Sequence, residues 1–489
     1  MQELTEIIQS LNASEIRLIR KFYKIDGGHE EKKRLLLFDV VRKESVGTNI
    51  EAAQAIYGTK PDSKFSHLKA RLRQDILGVM LLQEGETKFS AKYKQAEFNC
   101  IKLRLEGEVL LYRGAKIAGT NAIKEAAKLA NQYDLTFEQL ATHDLLREHL
   151  GFNEGLASFK KFESSIHENL ELLSELLMAK EKKFYIGLSN LFFKNRLHEY
   201  HEYADKSVKE LKESYKRIKS PHLGYYYYNV AIYKSEIDHD YKKGLDLSKE
   251  FLNLIQGHQA IYSKPREASA FLQIANMHMR LGEYKKAIKP SWQALELMTK
   301  ESVNELFALE VLFYALINCK DHNEAQEVHD KARSKTDLKT NSFYLEKWLF
   351  FEANLKFCLG EYQKSLDILR KNTELVKDKA GYYLGWKFLE ILNLVELREN
   401  EILYYRIDSF KKMLKRLKHK NIDRILSSFE IIEKLFKSNF DYQEVGKNTK
   451  EQIRKLEKGN NTFYWDPLGY EIVRFDDWFK EKLQNIVAP

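Results

Sequence analysis

The sequence predicts an all-α chain in which helix pairs stack one after another. Three observations carry this reading. Leu281-Gly282-Glu283-Tyr284 recurs letter for letter as Leu359-Gly360-Glu361-Tyr362, each copy at the same place in a longer apolar pattern. Self-similarity at a fixed spacing marks a repeat architecture, because each unit can bury its apolar face only against its neighbours. Only six prolines and 22 glycines occur in 489 residues, too few for the turn-rich punctuation of an all-β chain. Leu, Lys, Glu, Ala, Ile, Phe and Tyr are prominent, and with 31% charged residues this composition suits long amphipathic helices.

The N-terminal region, residues 1–88, is expected to be a helical domain of its own. Asn12 followed by Glu15 has the form of a capping box and opens a helix over Ala13 to Tyr23. A second helix is expected from Lys32 to Arg42. An alanine-rich stretch, Glu51 to Tyr57, then runs into Gly58 and a turn holding Pro61, and a basic helix follows from Ser63 to Leu82. This order resembles a helix-turn-helix, with Lys64, Lys69, Arg71 and Arg73 as candidate nucleic-acid contacts. Two features depart from it. The turn is longer than the usual three or four residues. Through Ser90 there are 15 basic and 13 acidic residues, close to balance. The alternative is a helical cap on the repeats that follow.

Residues 89–456 are expected to form the repeat array. In the clearest unit Ala268, Phe271, Ile274, Ala275 and His278 share one helical face. Gly282 breaks that helix, since glycine enters the left-handed conformation without strain. Tyr284, Ala287, Ser291 and Ala294 follow the face of a second helix, and small residues at Ala275, Ala287 and Ala294 allow close approach. Pro290 falls inside this helix and is expected to kink it or delay its start. The second clear unit runs from about Tyr344 to Leu375, with Leu349, Ala353, Gly360, Tyr362 and Ser365 in the equivalent places. The two turn glycines are 360 − 282 = 78 residues apart, or two units of 39. That spacing calls for a degenerate unit between them. Leu309, Leu312, Phe313 and Leu316 supply its first helix, Lys320 to Asn323 its turn, and Ala325 and Val328 the start of its second. Weaker pairs extend the array both ways, at Phe98 to Tyr133, Phe184 to Leu211, Tyr225 to Leu254 and Tyr382 to Leu417.

The large residues, small contacts, turn glycine and following aromatic together resemble the tetratricopeptide repeat family. The likeness implies an α-solenoid, a right-handed superhelix of antiparallel helix pairs. It also implies that the first helix of each pair lines a groove that holds a protein or peptide partner. On that implication Ser269, Gln273, Asn276, Tyr314, Lys347, Phe351 and Asn354 face the groove. Asn276 and Asn354 hold equivalent places, where an amide can give and accept hydrogen bonds with a partner's backbone. The lysine-rich carboxylate clamp known in the family is not reproduced.

Residues 457–489 change texture. Phe463 to Phe475 is aromatic, β-prone and holds a Pro-Leu-Gly turn, and Asp476 and Asp477 then open a short helix with Trp478. This segment is expected to fold back as a cap on the last repeat, the alternative being an extended tail that enters another groove.

Net charge is +9, unevenly spread. Arg406, Lys411, Lys412, Lys415, Arg416, Lys418, Lys420 and Arg424 stand against Asp408 and Asp423, so this stretch alone carries 8 − 2 = +6. It is either a solvated helix face or a docking strip for an acidic partner, with Lys411, Lys412, Lys415 and Arg416 at its centre.

Catalytic signatures are missing. There is no phosphate-binding glycine loop and no GxSxG elbow. His198-Glu199-Tyr200-His201-Glu202 fails the zinc-peptidase pattern, because its second histidine falls three residues on rather than four. Cys100, Cys319 and Cys358 are far apart and form neither a metal motif nor a disulfide framework. The sequence contains neither a secretory signal pattern nor an apolar run of membrane-spanning length. The expectation is a cytoplasmic, non-enzymatic scaffold without cofactor or metal that binds a protein or peptide. The alternative is a bacterial DNA-binding regulator that uses the N-terminal helices.

Overall fold

The computed structural model describes residues 1–25, 28–82, 91–192, 197–298, 300, 302–335, 342–371, 381–417 and 422–487. Among these the chain is all-helical, with no strand. It divides into two compact units, Met1–Leu177 with Gln259–Ser263, and Met178–His258 with Lys264–Pro489. No described helix is long and apolar enough to cross a membrane.

The first unit holds α1 (Gln2–Gln9), α2 (Ala13–Ile25), α3 (His29–Arg42), α4 (Asn49–Tyr57) and α5 (Ser63–Leu82). They close around Leu37, Phe38, Leu72 and Ile76, each with almost no exposed surface. The expected capping box is present: Asn12 Oδ1 accepts from the Glu15 amide, and the Glu15 carboxylate accepts from the Asn12 amide, both at 2.9 Å. A second box, Thr48 with Glu51, opens α4, and Gly58 ends it at φ 70°. Next come α6 (Lys92–Tyr112), α7 (Lys116–Gln132), α8 (Thr136–Glu154) and α9 (Leu156–Lys160). Helices α6 and α7 approach through paired glycines. A Cβ on Gly107 would lie 2.5 Å from the Ile123 side chain, and one on Gly119 would lie 2.7 Å from Leu111. Helix α10 (Glu163–Phe192) holds the residues where one unit ends and the next begins.

The second unit continues with α11 (Leu197–Ile218) and then runs as helix pairs: α12 (Pro221–Ile237) with α13 (Tyr241–Gly257), α14 (Lys264–Arg280) with α15 (Tyr284–Leu297), and α16 (Val303–Asn318) with α17 (His322–Arg333). After them come α18 (Ser342–Cys358) with α19 (Tyr362–Leu369), α20 (Tyr382–Leu397) with α21 (Asn400–Arg416), and α22 (Asp423–Lys437) with α23 (Tyr442–Asn448). Each pair turns the same way. The turn residue takes positive φ at His239, Gly282, Lys320, Gly360, Arg398 and Asn439. At each turn a backbone amide reaches the carbonyl five residues back: Asp240 to Ser235, Glu283 to His278, Asp321 to Leu316, Glu361 to Lys356, Glu399 to Leu394 and Phe440 to Leu435, all between 2.8 and 3.2 Å. This is the helix-ending bond that a left-handed residue makes possible. Such short connections leave the two helices antiparallel.

Five residues after each of the first four turns stands a small buried residue, Gly244, Ala287, Ala325 and Ser365. A Cβ on Gly244 would meet Ser235 Oγ at 2.5 Å and Met277 Sδ at 2.6 Å, so size is limited there by two neighbouring helices. Helix α15 starts at Tyr284 with Pro290 inside and buried, so the proline does not delay its start. The core fills with aromatics, among them Trp348, Trp386, Phe313, Phe350 and Phe351, and Phe313 stacks on Phe351 at 5.1 Å.

After α24 (Lys450–Lys458) the chain takes one 3₁₀ turn, Asn461–Phe463, then a loop without strand structure, and ends in α25 (Phe475–Val487). The helix opened by Asp476 and Asp477 is thus present, and the β-prone stretch is not a strand. Its backbone is turned by its own side chains instead. Leu468 N–H donates to Asp466 Oδ1 at 3.1 Å, Gly469 N–H to Asp466 O at 2.9 Å, and Trp465 Nε1 to Glu471 O at 2.8 Å.

Candidate functional site

The loop between α24 and α25 lies against α14, α16 and α20, the first helices of three pairs. At its base the buried Arg424 of α22 pairs with Glu471 through Nε and Nη2, at 2.6 and 2.9 Å, and with Asp476 at 2.5 Å. Its remaining nitrogen donates to Leu456 O at 2.8 Å. Burial opposes the Arg424 charge, and the two carboxylates outweigh it, raising its pKa. Arg424 is therefore not part of a solvent-facing basic strip: it is spent on the loop's foundation.

Higher up the loop, Tyr314 of α16 donates its hydroxyl to Gly469 O at 2.9 Å. Arg280 at the end of α14 pairs with Asp466 at 3.2 Å, and Tyr241 donates to the Tyr464 hydroxyl at 3.1 Å. The His239 ring lies 5.3 Å from that of Tyr464. On α20, Gly385 leaves room for the loop backbone, since a Cβ there would sit 2.4 Å from Tyr470 O.

The same helices carry the residues singled out in the sequence. Ser269, Gln273, Asn276 and Arg280 form one stripe of α14, spaced as helical neighbours. Gln273 Oε1 and Asn276 Oδ1 are buried acceptors without a hydrogen-bond partner. Leaving a buried acceptor unmatched costs about 1–3 kcal/mol, and Glu310 Oε1 on α16 and Asn393 Oδ1 on α20 are unmatched in the same way. On α16 and α18, Lys347 meets Glu310 at 2.6 Å, with side chains 9% and 7% exposed. Burial disfavours the Lys347 ammonium, but Glu310 and Tyr382 outweigh it and raise its pKa, so it stays charged. Its Nζ sits 4.7 Å from the Tyr382 ring centre.

The expected groove residues therefore separate. Gln273 and Asn276 keep unmatched acceptors. Tyr314 and Lys347 are buried and already engaged within the chain. Phe351 is fully buried in the aromatic core, so it offers no surface to a partner. Asn354, the equivalent of Asn276, is 2% exposed and donates its amide to Phe350 O at 2.8 Å, one turn back on its own helix.

Other expectations fall as follows. On α5, Lys64 and Arg71 are exposed, Lys69 donates to Asn49 Oδ1 at 3.3 Å, and Arg73 pairs with Glu3 at 2.8 Å. On α21, Lys411 pairs with Glu433 at 2.8 Å and Lys412 with Asp408 at 2.7 Å, while Lys415 and Arg416 are exposed. Arg406 reaches the buried Glu390 at 2.8 Å. Lys418 and Lys420 lie outside the described residues, as do the side chains of His198, Glu199 and Tyr200. Among the described residues no group of three or more His, Cys, Asp or Glu is placed to hold a metal ion.

Sequence reasoning passed over Glu310, Arg280, Tyr382 and Gly385. Glu310 left a signal. It is a lone charge in the apolar run Leu306 to Ile317, where a carboxylate must be buried and therefore paired. Gly385 left none, because what fills the space beside it comes from a distant part of the sequence.

No protein-family model matches the sequence, and no curated protein matches it. Among solved structures, the crystal structure of the apo form of RapI is similar to this chain at 12% identity, over 79% of this chain and 98% of that one, with a TM-score of 0.44.

Proposed function

We propose that this chain is a non-enzymatic helical scaffold whose first-helix face binds an extended segment of a protein or peptide partner. The observation that carries the reading is the pair of unmatched buried acceptors, Gln273 Oε1 and Asn276 Oδ1, on one stripe of α14. Gln273 and Asn276 are partly exposed although these two oxygens are not, so a side-chain rotation would bring them to the backbone N–H groups of an extended segment, donors of the kind they lack. The side chain next on that stripe, Arg280, already holds such a segment, the chain's own loop at Asp466. The face is thus chemically suited to a main chain with an acidic side chain nearby.

The experiment is selection of linear peptides from a random display library on the intact protein. The reading expects peptides whose affinity falls about tenfold with Gln273→Ala or Asn276→Ala, the effect of one to two lost hydrogen bonds. Circular dichroism should be unchanged. If nothing is selected, or if the selected peptides ignore both substitutions, the reading fails.

A further inference from the structure

We propose that the loop over residues 459–474 is an internal ligand of the first-helix face, and that an outside segment of the same chemistry binds by displacing its tip. This rests on the reading that the face binds an extended segment.

Base and tip are held differently. The base is fixed by Arg424, Glu471 and Asp476, whose side chains are 6%, 6% and 1% exposed. Buried and fully paired charges of this kind resist separation, because freeing one leaves the other unpaired in a low-dielectric site. The tip's polar ties to the helices are single, a phenol contact at Tyr464, a carboxylate contact at Asp466 and a backbone carbonyl contact at Gly469, and beside them Trp465 and Pro467 are buried and Leu468 and Tyr470 pack on the core. The Asp466 side chain is 41% exposed, so water competes for its bond to Arg280. A base that holds and a tip joined by single polar ties allow exchange at the tip without unfolding the foundation, provided the incoming segment brings an aromatic side chain to replace the buried Trp465.

The tip also keeps its shape without the helices. Its turn is closed by Asp466 onto Leu468 and Gly469, and by Trp465 onto Glu471, all within the loop. A free peptide carrying these residues can therefore form the same turn. The face in turn fits this segment specifically, since Gly385 provides the close approach that Tyr470 O uses. The contacts define the ligand's chemistry: a tyrosine to meet Tyr241, an acidic residue two positions on to meet Arg280, and a turn that presents a backbone carbonyl to Tyr314.

The test uses the intact chain and a fluorescein-labelled synthetic peptide of residues 462–472, read by fluorescence anisotropy. Asp466→Ala removes the loop's grip on Arg280 together with the side-chain bond that closes its turn at Leu468, and leaves the face itself unchanged. It should bind the peptide about tenfold more tightly than the unaltered chain, the worth of one charge-assisted hydrogen bond. Tyr464→Phe removes a single hydroxyl and serves as the milder second variant, expected to shift affinity in the same direction. Adding Arg280→Ala to Asp466→Ala should reverse the gain. Equal affinity of the unaltered chain and both loop variants, or binding by none of them, overturns the proposal. The two readings can fail separately. Library peptides that depend on Gln273 and Asn276 but bind all loop variants alike would leave the binding face standing and remove the internal ligand.

Discussion

Gly385→Ala tests the docking of the loop by the sign of its effect. Gly385 lies in the first turn of α20, where alanine would favour the helix by up to about 1 kcal/mol. If nothing rested against it, alanine would stabilise the chain. In the structure the added Cβ would sit 2.4 Å from Tyr470 O, and 3.1 Å from both Phe350 Cζ and Tyr470 Cβ. Ordinary contact begins near 3.4 Å, so the carbonyl must retreat by about 1 Å. The Phe350 ring cannot yield, being fully buried and stacked on Trp386 at 6.0 Å. Overpacking of this kind costs about 1–3 kcal/mol, which exceeds the helix gain. The net expectation is a loss of about 1–2 kcal/mol, a lower midpoint in thermal and urea melts, and faster chymotryptic cleavage within residues 459–474, at Phe463, Tyr464, Trp465 or Tyr470. An unchanged or raised midpoint would refute the reasoning, because it would mean that no backbone rests on Gly385.

Arg424→Met should destabilise the second unit by about 3–5 kcal/mol by leaving Glu471 and Asp476 buried without their cation, and a loss below about 1 kcal/mol in urea melts would show that the pairing is not structural. Burial opposes the Asp476 carboxylate, but Arg424 and Arg474 hold its pKa below the ordinary value, so the stability it contributes is present above pH about 4 and is lost only as pH falls through the lower folded value. The stability difference between the unaltered chain and Asp476→Asn in urea melts should therefore stay constant from pH 7 to about 4.5, and a difference that shrinks between pH 6 and 5 would contradict the assignment. Cys100 has no exposed surface, and burial pushes its thiol up to about 12, so iodoacetamide at pH 8 should leave it unmodified until the chain is unfolded. For the basic face of α5, with Lys69 and Arg73 already engaged, the intact chain should not retain duplex DNA at about 100 mM salt, and retention abolished by Lys64→Glu with Arg71→Glu would restore the regulator reading.

The repeats were clearest where glycine marked the turn. Gly282 and Gly360 fixed the period, and the degenerate unit between them was found by arithmetic. The same left-handed turn is taken by His239, Lys320, Arg398 and Asn439, which carry no such mark. There the backbone is held by the five-residue-back hydrogen bond and by packing of both helices, so tertiary context overrides a residue preference of about 1–2 kcal/mol. Capping was legible for a simpler reason: Asn12 and Glu15 satisfy each other within one turn, and no distant residue takes part.

The candidate site was harder to read. Helical spacing placed Gln273, Asn276, Lys347, Phe351 and Asn354 on the first helices, but spacing alone does not say which of them a neighbour will cover. Phe351 and Asn354 are closed off by the packing of adjacent helices, and Lys347 is neutralised by Glu310 from the preceding pair. Arg424 was counted with a run of exposed cations because it stands beside them in the chain.

By itself the sequence determined what short-range physics controls: helical periodicity, capping, the glycine turns and the small residues that let paired helices approach. Only the tertiary structure decided where residues 459–474 rest, and hence which polar groups on the first-helix face remain unmatched. The physical reason is distance along the chain. Arg280 and Asp466, Tyr314 and Gly469, and Gly385 and Tyr470 meet only after the pairs between them have stacked. No local pattern records a contact that depends on the summed geometry of several repeats.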